Sequence, residues 1–278
     1  MALKKRDLLL SVSKVKKEEI ICIISYVLNE SKEKVLSTLD ELIGELEKER
    51  IASLIKEREK GRPLAYITGR KEFYSLEFLV NESCLIPRPE TELIVEEAEK
   101  IIKTGGVERI LDMGTGSGII GITLAKRTGV PVLCIDISKE ALFIAKRNAR
   151  LNRAEEKVVF LCSDLFCALN SKKKFDLILA NLPYVAQEEW EELPVDVREY
   201  EPKVALWGGK DGLEVIGKFV DRVDRYISFG GRVLLEFGNQ KQKSILKSKL
   251  EERGFHVEIL KDYSGRERVI KGVWKNLS

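Results

Sequence analysis

The chain has 278 residues, with 48 Lys and Arg against 45 Asp and Glu, a net charge of +3 and an apolar share of 44%. That length fits one large or two smaller globular domains with a substantial core, and the charge excludes a large basic surface for tight nucleic-acid binding. A single histidine, His256, excludes histidine-rich metal sites, so no metal is expected.

The first 17 residues hold most of the positive excess around a short apolar run, the pattern of a solvated helix face and not of a signal peptide. "IICII" is too short to span a membrane. Five cysteines without a Cys-x-x-Cys pair suit a reducing compartment, so a cytoplasmic protein is expected. Cys22, Cys134 and Cys162 lie in apolar runs and are expected to act as small hydrophobes. Helical spacing in "EEIICIISYVLN", "KVLSTLDELIGEL" and "RIASLIKERE" predicts a small helical bundle over residues 1–70. Ser31 is placed to cap a helix running through Leu36, Leu39 and Ile43. "GRPLAYITGR" breaks the helical pattern, and "KEFYSLEFLVNESC" predicts two short strands carrying Phe73, Phe78 and Val80. These strands form a hairpin linker over residues 71–89, ended by Pro87 and Pro89, with a helix following at "ETELIVEEAEKII".

From residue 107 the pattern becomes strand–helix alternation. "VERILDM", "PVLCID", "KVVFLC", "FDLILA" and "GRVLLEF" read as strands with helices between them, and "HVEILKD" and "RVIKGVWK" close the chain as strands. Gly254 is placed to stop the helix "QKQKSILKSKLEER". Nearly continuous apolar strands predict an α/β fold whose mainly parallel sheet is covered on both faces, in a domain spanning 90–278. His256 alternates with Phe255 and Val257 in one of these strands and reads as structural.

"DMGTGSGIIG" follows the first strand and opens a helix, the setting of a nucleotide loop. Gly116-x-Gly118-x-x-Gly121 matches a dinucleotide fingerprint, while Asp112 with Gly114, Gly116 and Gly118 fits a S-adenosylmethionine loop. A carboxylate beside the helix start repels a diphosphate and favours a ligand carrying a sulfonium and an ammonium, which places S-adenosylmethionine ahead. Asp136 ends the second strand and suits two ribose hydroxyls, and Asp164 ends the third and suits an adenine amino group. The fourth strand ends in Asn181-Leu182-Pro183-Tyr184. The Asn181 side-chain oxygen and the Leu182 carbonyl can accept both hydrogens of one planar –NH₂ group, with Pro183 stiffening the turn and Tyr184 offering a ring face. Asn181 is then expected to face the methyl group, and both Asn181 and Tyr184 to serve catalysis.

Asp112 to Gly118 with a strand-ending Asn-x-Pro-Tyr resembles the class I methyltransferases of planar nitrogens. "RPLAYITG" (62–69), "LIPRPETE" (85–92), "YEPKVALWGGKDGL" (200–213) and "EFGNQ" (236–240) resemble the HemK/PrmC family of peptide chain release factor glutamine methyltransferases. The resemblance implies a Rossmann-like domain with a seven-stranded sheet behind a small N-terminal domain, which either docks the release factor or serves as a stabilising cap. It also implies that Gly114, Thr115, Gly116, Ser117 and Gly118 wrap S-adenosylmethionine, that Asp136 holds its ribose, and that Asp164 and Leu165 flank its adenine. The substrate implied is the glutamine of a Gly-Gly-Gln loop, held by residues 181–184, and the product is S-adenosylhomocysteine. The family usually carries proline at position 182, where this chain has Leu182; a backbone carbonyl is supplied by either. The same tetrapeptide also permits a nucleic-acid amino-methyltransferase or a ribosomal-protein glutamine methyltransferase.

Overall fold

A computed structural model of the protein describes residues 3–10 and 13–275, which divide into two compact units. The first comprises Met1–Arg70 and Pro194–Tyr200, the second Lys71–Leu193 and Glu201–Ser278.

In the first unit the helices Lys17–Leu28, Lys32–Ser37 and Glu45–Glu59 bury Ile20, Ile23, Ile24, Val35, Ile51 and Ile55 against one another. Ser31 caps the second helix, its hydroxyl accepting the Lys34 N–H at 3.2 Å. That helix is shorter than expected. It ends at Ser37, and Leu42 and Ile43 pair instead with Lys4 and Leu3 in an antiparallel bridge. The cause is the buried Lys5 ammonium, which needs compensating acceptors. It donates to Thr38 Oγ1 at 2.7 Å and to Glu30 and Glu41 carboxylates at 2.9 Å each, so the chain turns around it. The segment read as a break contains a one-turn helix, Leu64–Thr68.

A hairpin, all of it but Arg70 in the second unit, pairs Arg70–Phe73 with Leu76–Leu79 through a Tyr74-Ser75 turn in which both residues are left-handed. Phe73 and Phe78 are buried, and the Asn148 amide closes on the Leu79 backbone in both directions, at 2.6 and 2.9 Å. Seven strands form the sheet: β1 (Ile110–Met113), β2 (Val132–Asp136), β3 (Val158–Cys162), β4 (Phe175–Ala180), β5 (Ile227–Glu236), β6 (Phe255–Lys261) and β7 (Glu267–Trp274). Their order is β3-β2-β1-β4-β5-β7-β6, with the first five parallel and β7 antiparallel to both its neighbours. This is the expected mainly parallel, seven-stranded, Rossmann-like sheet.

Successive residues of a strand face opposite sides. Ile110, Leu177, Leu179 and Leu234 pack under the helices Glu92–Lys103 and Ile119–Thr128. Leu111, Met113, Ile178 and Leu235 pack on the other face with the helices Glu214–Val220 and Gln240–Glu252. The last of these stops at a left-handed Gly254. His256 sits exposed on β6 opposite Val273. Cys134 is buried and Cys22 half-buried, whereas Cys162, expected among the small hydrophobes, is exposed because β3 is an edge strand. No helix among the described residues is long and apolar enough to cross a membrane.

Candidate active site

The sheet order reverses between β1 and β4, and open α/β folds bind ligands at the carboxyl ends of the strands flanking that point. A cavity of about 170 Å³ lies there. Gly114, Thr115, Gly116 and Ser117 line it from the loop after β1, Asp136 from the end of β2, and Asp164 and Leu165 from the segment after β3. Asn181, Leu182 and Pro183 line it from the end of β4. Ten of the predicted residues therefore meet at one cavity. Asp112, Gly118 and Tyr184 stand outside its lining.

The loop is drawn tight by its own backbone. The Gly114 and Thr115 N–H groups both donate to the Ile135 carbonyl, at 2.8 and 2.9 Å. Gly114 has φ of 73°, and a Cβ there would come within 2.8 Å of Leu182 Cδ2 and 3.2 Å of the Asn181 carbonyl. Loop and tetrapeptide thus approach closely because position 114 has no side chain. Asp136 accepts the Gly116 N–H at 2.8 Å and the Ser138 N–H at 2.9 Å, which orders its carboxylate at the cavity wall. Asn148 donates to the Ser117 carbonyl at 2.9 Å and ties the same loop to the hairpin. Leu165 holds a left-handed backbone, φ 45°, a strained conformation for a γ-branched residue and one that functional sites often carry. Cys84 also lines the cavity, and burial pushes its thiol up to about 11, so it stays protonated.

Asp112 shares a sheet face with Ile110, so it points under the helix Ile119–Thr128. Its Oδ2 accepts the Thr115 hydroxyl at 2.5 Å and the Gly121 N–H at 2.9 Å, while Oδ1 is buried without a partner. Burial raises this carboxyl from 3.8 to about 6, against the lowering effect of those two hydrogen bonds. A carboxyl raised on folding makes stability fall as pH rises from the unfolded to the folded value, here from about 4 to about 6, by of order 3 kcal/mol. Asp112→Asn is accordingly expected to gain stability over the native chain across that window. Urea unfolding at a series of pH values checks it, and parallel stability curves would show that Asp112 carries no such burden.

Behind the tetrapeptide lies a buried hydrogen-bonded chain. Asn181 Nδ2 donates to Thr91 Oγ1 at 3.0 Å, and the Thr91 hydroxyl donates to Glu236 Oε2 at 2.9 Å. The Tyr184 hydroxyl donates to Glu236 Oε1 at 3.2 Å, so the Tyr184 side chain turns away from the cavity. Burial and the Glu236 charge push the Tyr184 phenol far above its ordinary range. Its carbonyl accepts Gln242 Nε2 at 2.7 Å, and the Val185 N–H donates to Leu206 at 2.9 Å, fastening the chain beyond the turn. Arg88 lines the cavity with its charge held by Glu201, which also accepts the Ile86 N–H at 3.0 Å. Thr91, Arg88, Glu201 and Glu236 were not singled out from the sequence. They do lie inside three of the segments that carried the resemblance, 85–92, 200–213 and 236–240.

The chain matches two family models, one described as PrmC N-terminal domain over residues 8–69 and one as ribosomal protein L11 methyltransferase (PrmA) over residues 88–186. A release factor glutamine methyltransferase of Rhodopirellula baltica is 39% identical over 233 residues, covering 81% of this chain and 78% of the relative. One of Pasteurella multocida is 36% identical over 275 residues, covering 93% and 91%. The chain belongs to the release factor glutamine methyltransferase family. A solved methyltransferase from Pyrococcus furiosus, 19% identical, shares the fold with a TM-score of 0.54, covering 81% of this chain and 98% of that one.

Family membership implies S-adenosylmethionine, and the residues present fit it. Around Gly116 the loop leaves open space, and two carboxylates already face the helix start, Asp136 on Gly116 and Asp112 on Gly121. Such a helix start disfavours the diphosphate of a dinucleotide and tolerates a cationic ligand.

Proposed function

We propose that this protein transfers a methyl group from S-adenosylmethionine to the side-chain amide nitrogen of the glutamine in the Gly-Gly-Gln loop of peptide chain release factors, in the cytoplasm. The observation that carries the reading is the position of Asn181 and Leu182, in the lining of a cavity also lined by the glycine loop. S-adenosylmethionine supplies an electrophilic methyl group when bound. Gly114 to Ser117 would wrap it, Asp136 would take the ribose hydroxyls, Asp164 and Leu165 would flank the adenine, and Asp112 and Gly118 act from outside the cavity lining, Asp112 by bracing the loop.

Asn181 Oδ1 and the Leu182 carbonyl accept the two amide hydrogens and so hold the nitrogen lone pair toward the methyl carbon. Orientation of this kind can be worth roughly 7–11 kcal/mol. A site that pairs both hydrogens also rejects analogues lacking them by of order 10⁴–10⁵-fold. Tyr184 supports the turn from behind through Glu236 and Gln242. The helical unit of residues 1–70 is assigned to docking the release factor.

Incubation with labelled methyl donor and a release factor is expected to label the Gly-Gly-Gln glutamine alone. Label that persists after Gln→Ala at that position overturns the proposal, and transfer to DNA or RNA would favour the nucleic-acid alternative.

A further inference from the structure

We propose that Thr91 and Glu236 form a latch that fixes which way round the Asn181 side-chain amide sits, with its oxygen toward the substrate, and that both are positioning residues for the methyl transfer. The proposal rests on the reading of Asn181 as an amide clamp. An asparagine amide has two ends of nearly equal shape and opposite hydrogen-bonding sense, so a site that needs the oxygen must hold the nitrogen elsewhere.

The hydroxyl of Thr91 has one proton, and that proton is committed to Glu236 Oε2. An ionised Glu236 only accepts, and its other oxygen takes the Tyr184 hydroxyl. Thr91 Oγ1 therefore presents lone pairs to Asn181, and only Nδ2 can approach, as it does at 3.0 Å. Flipping the amide would set Oδ1 against those lone pairs and forfeit the bond. Thr91 and Glu236 are 1% and 2% exposed, so bulk water does not substitute for either partner. Among the described residues no group donates to Asn181 Oδ1, which leaves that oxygen for the cavity Asn181 lines. Thr91 enters from the start of the helix Glu92–Lys103 and Glu236 from the end of β5, so the latch joins two elements far apart in the chain to the tip of β4.

The latch also has a pH sense. Burial pushes the Glu236 carboxyl up to about 7; the Thr91 and Tyr184 hydroxyls and Arg268 lower it, and Glu90 raises it. Once protonated, the carboxyl can donate to Thr91, which frees the Thr91 proton to turn toward Asn181 and favours the flipped amide. Turnover by the native enzyme is therefore expected to fall as pH drops through about 7.

The test measures kcat and KM on a release factor substrate, together with S-adenosylhomocysteine affinity, for Thr91→Val, Thr91→Ser, Glu236→Gln, Asn181→Ala and the Thr91→Val/Asn181→Ala pair. Thr91→Val and Glu236→Gln are expected to lower kcat about tenfold or more with product affinity kept, while Thr91→Ser recovers most of the turnover. In the Asn181→Ala background, Thr91→Val is expected to add little, because both changes remove the same orientation. Native kcat in Thr91→Val and Glu236→Gln, with turnover still lost in Asn181→Ala, overturns the latch and leaves the clamp standing. Native turnover in Asn181→Ala overturns the clamp and the latch together. Loss of product binding in step with kcat in both latch variants also overturns it, since the pair would then be a brace of the fold.

Discussion

Asn181→Ala is expected to lower turnover on a release factor by about 10²–10³-fold, the scale of removing one preorganised hydrogen-bonding group from a reacting centre. The side chain supplies one of the two acceptors that hold the substrate amide; with it gone, only the Leu182 carbonyl remains and the nitrogen can turn about that single bond. Binding of S-adenosylhomocysteine should persist, because the glycine loop and Asp136 are held by contacts that do not pass through this side chain. The fold should persist as well. Thr91 loses one donor but keeps its bond to Glu236, a change worth about 1 kcal/mol. Single-turnover rates with calorimetric titration of product separate these effects. Unchanged turnover would make Asn181 an ordinary turn residue after a buried strand.

Much of this geometry is legible in the chain. "FDLILA" and "PVLCID" are apolar on both faces because both faces are covered, and each ends at the edge where a ligand binds. The glycine spacing and Asp136 follow from the same placement. Asp112 was read as facing the ligand, yet period-two alternation sends it with Ile110 under the helix, a direction countable from the strand itself. Other features depend on contacts no local pattern contains. Thr91 and Glu236 meet across 145 positions, and neither carries a motif of its own. The hairpin turns at Tyr74-Ser75, two residues with no intrinsic preference for a left-handed backbone, so the Gly and Asn signals of tight turns are absent. The helix expected beyond Ser37 is lost to a buried ammonium from Lys5, and residues 194–200 join the N-terminal unit although the chain reaches them late.

Gly208→Ala is expected to lower turnover by of order 10²-fold from a position outside the cavity lining. A Cβ at Gly208 would come within 2.8 Å of three backbone atoms: the Pro183 carbonyl oxygen, Tyr184 Cα and the Gly212 carbonyl oxygen. No flexible side chain is among them, so the backbone itself must move. The Gly208 N–H donates to the Val185 carbonyl at 2.9 Å, which means that segment and tetrapeptide are already hydrogen-bonded and cannot part without breaking the bond. The displacement therefore falls on Pro183 and Tyr184, next to the carbonyl and amide that aim the substrate. A misplacement near 1 Å at a reacting centre can cost about 10²-fold even when the altered residue is remote from the chemistry. Gly217→Ala is the matched control. It lies in the helix Glu214–Val220, where an added Cβ meets only Lys249 Nζ at 4.0 Å, and alanine is favoured there by up to about 1 kcal/mol. Turnover lost at position 208 and kept at 217, with product affinity retained in both, places the defect in the aim of the tetrapeptide. Native turnover in Gly208→Ala would show that the Asn181–Tyr184 turn tolerates displacement, and that its catalytic part does not depend on a fixed backbone.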